Sequence, residues 1–302
     1  MKRKIFSIAP SFNCSLSCHG CYLTTGVTTE MRDLTKDDYY WGRAMEEAVK
    51  AGYREFAITL NPFPGAIEHT IKLAKMAKKR GFETVNVTTV WKGVFEDNAI
   101  EPLLPHIDIV SLSVDDMRCE TPEDLHVQVI RAFEVFSVAT TGRKMHFNIN
   151  LLWTPTVFEW AEHGILSDII IDLEHTIQVG YIGKYDHTQT WSISHLIYKP
   201  LSIYESVDWF WEKYNWILEN KPQIKICGDG RRFIGDVALN NLLGMNECPG
   251  ENMFDVDPMG FVRKCPENPI AFDVTNIEKL KDLLYDGIPN CGETKCNCIT
   301  PK

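Results

Sequence analysis

The first two thirds of the sequence alternate between short apolar segments and longer amphipathic ones. The apolar segments have the length and β-branched content of buried strands, and the amphipathic ones carry helix start and stop signals. The predicted strands are residues 5–10, 54–60, 83–90, 108–114, 144–153 and 167–173, with one more at 223–226. Strands separated by helices at this spacing form βαβ units and a parallel sheet. The sequence therefore predicts an α/β fold, a partial (β/α)6-type parallel barrel.

Helix boundaries follow from capping residues. Thr35, with Asp38 three residues later, is expected to cap the first helix, and Gly52 to end it. Thr121 and Pro122 mark the start of the long helix before the fifth strand. In sheets of parallel strands, ligands bind at the carboxyl ends of the strands, so functional residues are expected there.

The alternating pattern ends near Lys221. Beyond this residue Gly, Pro and Cys become more frequent, and the apolar segments shorten. We therefore expect two domains, a barrel core over residues 1–221 and a small Cys-rich extension over residues 222–302.

Composition excludes several classes of protein. The 302 residues carry a net charge of −10 with a pI near 5.4, and an acidic chain is a poor general binder of duplex DNA. No segment reaches the roughly 18 apolar residues of a membrane span. The basic amino terminus lacks the apolar core of a secretory signal. We expect a cytoplasmic protein that does not bind membranes.

Eight of the ten cysteines form two groups near the ends of the chain. The first group is Cys14, Cys18 and Cys21, and the second is Cys248, Cys265, Cys291, Cys296 and Cys298. A disulfide framework is typical of small secreted domains. A large chain without a signal, with its cysteines closely spaced, is better explained by metal binding.

The first group has the spacing C-x3-C-x2-C and directly follows a predicted strand. A loop so rich in thiolates suits an iron–sulfur cluster or zinc. Zinc normally takes four ligands, and no fourth cysteine is near in the sequence. Three ligands on a four-iron cluster leave one iron open to a small molecule.

The segment CSLSCHGC, residues 14–21, resembles the signature of radical S-adenosylmethionine (radical SAM) enzymes, at its usual place after the first barrel strand. The resemblance implies a SAM-binding 4Fe–4S cluster on Cys14, Cys18 and Cys21. It also implies reductive cleavage of SAM to a 5′-deoxyadenosyl radical, which abstracts a hydrogen atom from a substrate. An electron donor such as flavodoxin or ferredoxin is then an expected partner.

The resemblance also points to residues that bind SAM. In the family an aromatic residue before the third cysteine lies near the adenine; here Gly20 takes that place and Tyr22 follows the cysteine. The family often closes its second strand with Gly-Gly-Glu-Pro at the SAM ammonium group. Here the sequence reads ITLNPFPG, in which Asn61 is the best candidate for that contact.

Two further strands carry polar residues at corresponding places. Ser113 and Asp115 resemble the family's Ser-x-Asp on the fourth strand, which reaches the ribose or carboxylate of SAM. Asn148 and Asn150 lie on one face of the fifth strand, where they are expected to contact SAM or substrate. For each polar residue a hydrogen bond at a strand end is the structural alternative.

The second cysteine group resembles the auxiliary-cluster extensions of radical SAM enzymes, called twitch and SPASM. Cys248, Gly260 and Cys265 match its C-x(9–15)-G-x4-C element, and DPMG is predicted to turn at the glycine. With Cys291, Cys296 and Cys298 they favour one auxiliary 4Fe–4S cluster, as in the twitch form. A structural zinc on four of these cysteines is the alternative.

The reaction is left open between two classes. With an auxiliary cluster as electron carrier or substrate ligand, the enzyme is an oxidoreductase acting on a small molecule or peptide. Without net oxidation it is an isomerase, an epimerase or aminomutase, with a modified nucleotide base among its candidate substrates. In that case Cys227 is the candidate hydrogen donor, since a thiol near a radical site can quench it. A non-catalytic iron–sulfur or zinc module is the third, weakest alternative.

Overall fold

The computed structural model describes residues 4–16, 18, 21, 27–28, 30–31, 35–182, 188–197, 204–225, 253–262 and 272–287. Nine strands lie within these ranges: β1 (Ile5–Ile8), β2 (Glu55–Thr59), β3 (Thr84–Thr89), β4 (Ile109–Val114), β5 (His146–Trp153), β6 (Thr190–Ile197), β7 (Met253–Val256), β8 (Phe261–Val262) and β9 (Phe272–Asp273). The α-helices there are α1 (Asp38–Lys50), α2 (Ala66–Arg80), α3 (Pro122–Ala139), α4 (Pro155–Glu162), α5 (Ile165–Glu174), α6 (Val207–Asn220) and α7 (Ile277–Asp286).

All nine strands belong to one sheet, in the order β6-β5-β4-β3-β2-β1-β7-β8-β9. Strands β1 to β6 are parallel neighbours in chain order, with helices in most of the connections between them. Strand β7 pairs parallel to β1 on its other side, and β8 and β9 add antiparallel. The predicted α/β fold with a parallel sheet is confirmed.

The two faces of the parallel strands differ in chemistry. One face carries large apolar side chains, such as Phe56, Leu112 and Phe147, which are fully buried in the hydrophobic core. The other face carries small polar side chains, such as Ser111 and Asn148. Because successive residues of a strand point to opposite faces, this alternation separates the packed outer face from a polar inner face.

Local capping signals decide the helix ends. Thr121 caps α3 by accepting a hydrogen bond from the Asp124 N–H at 3.1 Å, and Pro122 opens that helix, as predicted. The cap of α1 was predicted wrongly. Asp37, not Thr35, accepts from the Tyr40 N–H at 2.8 Å, because its carboxylate stands one residue before the first helical turn.

Two other sequence predictions of secondary structure are wrong, and one strand was not predicted. Residues 167–173 lie within α5, and residues 223–225 form a short 3₁₀ turn (Pro222–Lys225). Strand β6 was not predicted, although its residues alternate between apolar and polar. A run such as SDIIIDL is equally compatible with a buried strand and a buried helix, so packing decides between them.

The carboxyl-terminal elements meet the first ones. The Tyr40 hydroxyl donates to the Val274 carbonyl at 2.6 Å, and the Lys36 N–H to the Pro258 carbonyl at 2.8 Å. The predicted turn at Gly260 is confirmed, since this residue has φ 83° and joins β7 to the antiparallel β8. The division into domains at residue 221 stays a prediction. In the described ranges, no helix has both the length and the apolar character that a bilayer crossing requires.

Candidate functional site

The three cysteines of the first group lie near one another after β1. All three are half-buried thiols. Burial raises the pKa of Cys18, the neighbouring Arg118 guanidinium opposes this rise, and Cys21 and Cys14 add to it. The Cys21 N–H donates to the Cys18 carbonyl at 3.3 Å, so the loop folds back on itself after β1 and keeps these cysteines close together.

Hydrogen bonds fix the start of this loop against the end of β2. The Ser15 N–H donates to the Pro62 carbonyl at 2.8 Å. The side-chain amide of Asn61 donates to the Ser11 carbonyl at 3.2 Å. These two bonds hold residues 11–15 beside residues 61–62, so Asn61 borders the cysteine loop. Its contact with the SAM ammonium group stays a prediction.

A buried ion pair lies at the end of β4. The Asp115 carboxylate has no solvent exposure and accepts hydrogen bonds from Arg118 and from the Met117 N–H, the latter at 2.9 Å. Arg118 is only 16% exposed. Its Nε is buried and has no hydrogen-bond partner within the described ranges. Arg118 is close enough to lower the pKa of Cys18, so an anionic ligand beside the cysteines could satisfy this donor.

The thiols fit a cluster better than a single ion. Among the described side chains, no three His, Cys, Asp or Glu residues are grouped to hold one metal ion. Thiolates on one tetrahedral zinc lie about 3.8 Å apart, since each Zn–S bond is about 2.3 Å. In a 4Fe–4S cluster each thiolate binds a different iron, so its ligands are spaced more widely. The three thiols are ligands of the type that such a cluster takes, and Arg118 supplies a positive charge near Cys18.

A network of uncharged side chains covers the inner face of β4, β5 and β6. Its centre is Asn148, whose carbonyl accepts from Ser192 at 2.8 Å and from Ser194 at 2.9 Å. The Asn148 amide donates to Asn150 at 2.7 Å and to Ser111 at 3.4 Å. The side-chain oxygen of Asn148 thus accepts two hydrogen bonds and its amide donates two. Asn148 therefore positions the polar groups around it.

Two residues predicted to contact SAM or substrate lie nearer the carboxyl ends of the strands. Asn150 is 8% exposed, and its own amide N–H groups bond to no other described residue. Ser113 is half-buried, and no hydrogen bond joins its hydroxyl to the described part of the chain. The two residues are register partners on β4 and β5, so their polar groups lie side by side.

Other reactive side chains are part of the packing. Cys119 is buried, donates to the Gln128 carbonyl oxygen at 3.4 Å, and has its pKa raised to about 12 by burial. His195 is fully buried on the outer face, where burial holds its pKa well below the usual value and the Tyr214 hydroxyl lies 3.2 Å from Nδ1. Neither residue faces the cysteine loop.

Several predicted site residues lie outside the described residues. These are Gly20, Tyr22, Cys227, Cys248, Cys265, Cys291, Cys296 and Cys298. The adenine contact, the hydrogen donor and the auxiliary cluster therefore stay predictions. The sequence interpretation also missed Arg118 and the serines of β6. The available signals were the i, i+3 spacing of Asp115 and Arg118 and the alternation along residues 190–197.

Solved structures share this fold. One is titled native anSMEcpe with bound AdoMet, with a TM-score of 0.56, 16% identity, and coverage of 91% of this chain and 80% of that chain. Another is the hexahistidine-tagged form of anSMEcpe with bound AdoMet, at TM-score 0.56, 17% identity, and coverage of 92% and 80%. No protein-family model and no curated protein matches the sequence. The chain thus has the α/β fold of these structures.

Proposed function

We propose that this chain is a radical SAM enzyme. The observation that carries the proposal is the group of three half-buried thiols after β1, near Arg118, whose Nε has no partner among the described residues. A structural neighbour, anSMEcpe, was solved with bound AdoMet, which is SAM. This likeness of fold supports the proposal that SAM also binds to the present chain, at the carboxyl end of its sheet.

In this proposal Cys14, Cys18 and Cys21 hold a 4Fe–4S cluster with one open iron. When bound, the cluster and SAM supply a 5′-deoxyadenosyl radical that removes a hydrogen atom from a substrate. Arg118 meets the SAM carboxylate with its Nε donor, and Asp115 positions Arg118 by accepting a hydrogen bond from Nη1. Asn61 borders the same region and binds SAM, with Gly20 and Tyr22 beside the adenine.

The finer reaction rests on the sequence. The auxiliary cluster on the second cysteine group makes an oxidoreductase the favoured class, because it gives the substrate radical an electron acceptor. The Gly260 turn between β7 and β8 supports this, since it has the hairpin geometry expected between Cys248 and Cys265. A redox-neutral isomerase with Cys227 as hydrogen donor is the alternative. Flavodoxin or ferredoxin is the proposed electron donor.

The test compares two variants of the anaerobically reconstituted full chain. Replacing Cys14, Cys18 and Cys21 together with alanine should abolish formation of 5′-deoxyadenosine from SAM and dithionite, followed by mass spectrometry. The matched control is Cys119→Ser, which changes a thiol outside the site and keeps its hydrogen bond to Gln128. It should cleave SAM like the parent chain.

Iron content separates the two cysteine groups in the same samples. The triple variant should lose about four irons and keep the rest, because each cubane holds four irons on its own thiolates. Cleavage of SAM by the triple variant at the parent rate would falsify the proposal. Zinc in place of the remaining iron would assign the second group to a structural metal.

A further inference from the structure

Two rows of residues across the inner face of the sheet carry no formal charge. Strand register aligns five residues into one row: Thr59, Thr88, Ser111, Asn148 and Ser192. A second row follows, nearer the carboxyl ends: Ser113, Asn150 and Ser194. Every member of both rows bears a hydroxyl or an amide, so the surface offers hydrogen bonds without a formal charge.

The chain supports this polar surface at a cost in core packing. Four of these polar side chains are less than 10% exposed and hydrogen-bond to one another: Ser111, Asn148, Asn150 and Ser192. Buried positions such as these would otherwise hold apolar side chains. The interior of a parallel barrel is normally filled by branched apolar side chains. Polar side chains in this place indicate that the inner face is shaped for a polar ligand.

Ionisable groups flank these rows on both sides, and His146 touches the first row, with its Nε2 2.8 Å from the Ser192 hydroxyl. The Asp115–Arg118 pair and the cysteines lie at the carboxyl ends of the strands. His146, Glu55 and Asp255 lie on the inner face toward the amino ends, and burial raises the pKa of Asp255, which favours its neutral form. The rows between these two levels contain only neutral polar groups.

We propose that the substrate presents an uncharged, hydroxyl- or amide-bearing group to these two rows. A sugar ring, a nucleobase and a peptide amide are groups of this kind. A charged group in this position would lose its water without gaining an opposite charge, whereas a neutral one exchanges water for the side chains' hydrogen bonds. The inference rests on the proposed function only in calling this ligand the substrate.

Two residues are positioned to contact that group directly. The Asn150 amide N–H groups and the Ser113 hydroxyl bond to no other described side chain or backbone group, while Asn148 is occupied by its four neighbours. Asn150 and Ser113 therefore bind the ligand, and Asn148 is a positioning residue. Loss of the Asn150 amide donor should therefore weaken ligand binding more than loss of any other group in these rows.

The test uses matched pairs of neutral and charged probes on the reconstituted full chain with SAM. The pairs are uridine with uridine 5′-monophosphate, N-acetylglucosamine with its 6-phosphate, and N-acetylglycinamide with N-acetylglycine. Saturation-transfer NMR measures binding without any turnover. At least one neutral probe should bind about tenfold more tightly than its charged partner.

Asn150→Asp tests the site itself. The substitution keeps the oxygen that accepts from Asn148 but replaces the free donor with a negative charge. It should weaken binding of the neutral probe about tenfold. The matched control is Asn276→Asp, the same change at the cap of α7, where Asp and Asn cap equally well. Ser113→Ala, a smaller change, should weaken binding of the neutral probe about threefold. It replaces Asn150→Asp as the test if that variant has a much lower melting temperature than the parent.

Each result decides the proposal. Charged probes that bind as tightly as neutral ones, no binding by any neutral probe, or equal losses in Asn150→Asp and Asn276→Asp overturn it. The proposed function fails separately. A chain that prefers neutral probes but cannot form 5′-deoxyadenosine keeps the neutral site and loses the radical SAM assignment. A chain that cleaves SAM but prefers charged probes gives the opposite result.

Discussion

Arg118→Met should destabilise the protein strongly, because it removes the partner of a buried carboxylate. Asp115 is fully buried and Arg118 is 16% exposed. Removing one member of a buried pair costs about 3 to 5 kcal/mol, since the other charge stays buried without a partner. Met117 still donates its N–H to Asp115, and Arg118 is not wholly dry. We therefore expect the lower end of this range, about 3 kcal/mol.

The expected shift in melting temperature follows from chain size. With an unfolding entropy of about 2.1 cal/mol/K per residue, the 302 residues give about 0.6 kcal/mol/K. A loss of about 3 kcal/mol then lowers Tm by about 5 °C. The matched control is Arg80→Met. Its partner Glu46 lies 3.0 Å away at the surface, so this change should cost less than about 1 kcal/mol.

A double-mutant cycle with Asp115→Asn isolates the pair. Once residue 115 is neutral, Arg118→Met no longer leaves a buried charge without a partner. The double variant should therefore be about 2 kcal/mol more stable than the sum of the single changes predicts. Thermal unfolding by circular dichroism at several scan rates gives all four stabilities. The reasoning is refuted if Arg118→Met shifts Tm by less than about 1 °C, or if the two changes are simply additive.

Two other changes test the carboxyl-terminal strands. Gly260→Ala should cost about 2 kcal/mol in thermal unfolding, because at φ 83° its Cβ would stand 2.8 Å from Lys36 Cε and 3.2 Å from the Thr275 backbone. Gly65→Ala, at φ 81° with open space around it, should lose only about half as much; equal losses would contradict the steric argument. Asp255→Asn tests an acid whose pKa is raised above 3.8 by burial in the folded protein. The parent protein should therefore lose stability as pH rises from about 4 toward the folded-state pKa, because the unfolded chain ionises first. The variant lacks this loss, so the difference between its Tm and the parent's should shift in the variant's favour as pH rises above about 4; a difference that does not change with pH would show that Asp255 does not titrate in this way.

The sequence by itself determined the features that depend on short segments of chain. Thr121 and Pro122 begin α3 because a hydroxyl cap and a fixed φ act within one turn. Gly260 turns the chain between β7 and β8 because few other residues adopt positive φ without strain. The alternation of strands and helices predicted the parallel sheet for the same reason, since each apolar pattern has the period of its own element.

Tertiary structure decided whatever depends on which segments meet. Residues 167–173 are apolar enough for a strand or a helix, and they form α5 because that helix packs against α3 and α4. The sequence marks Asp115 and Asn148 as polar strand residues. Only the fold buries Asp115 completely and surrounds Asn148 with Ser111, Ser192 and Ser194. These contacts depend on strand register and burial, which join residues distant in the chain and therefore leave no local pattern.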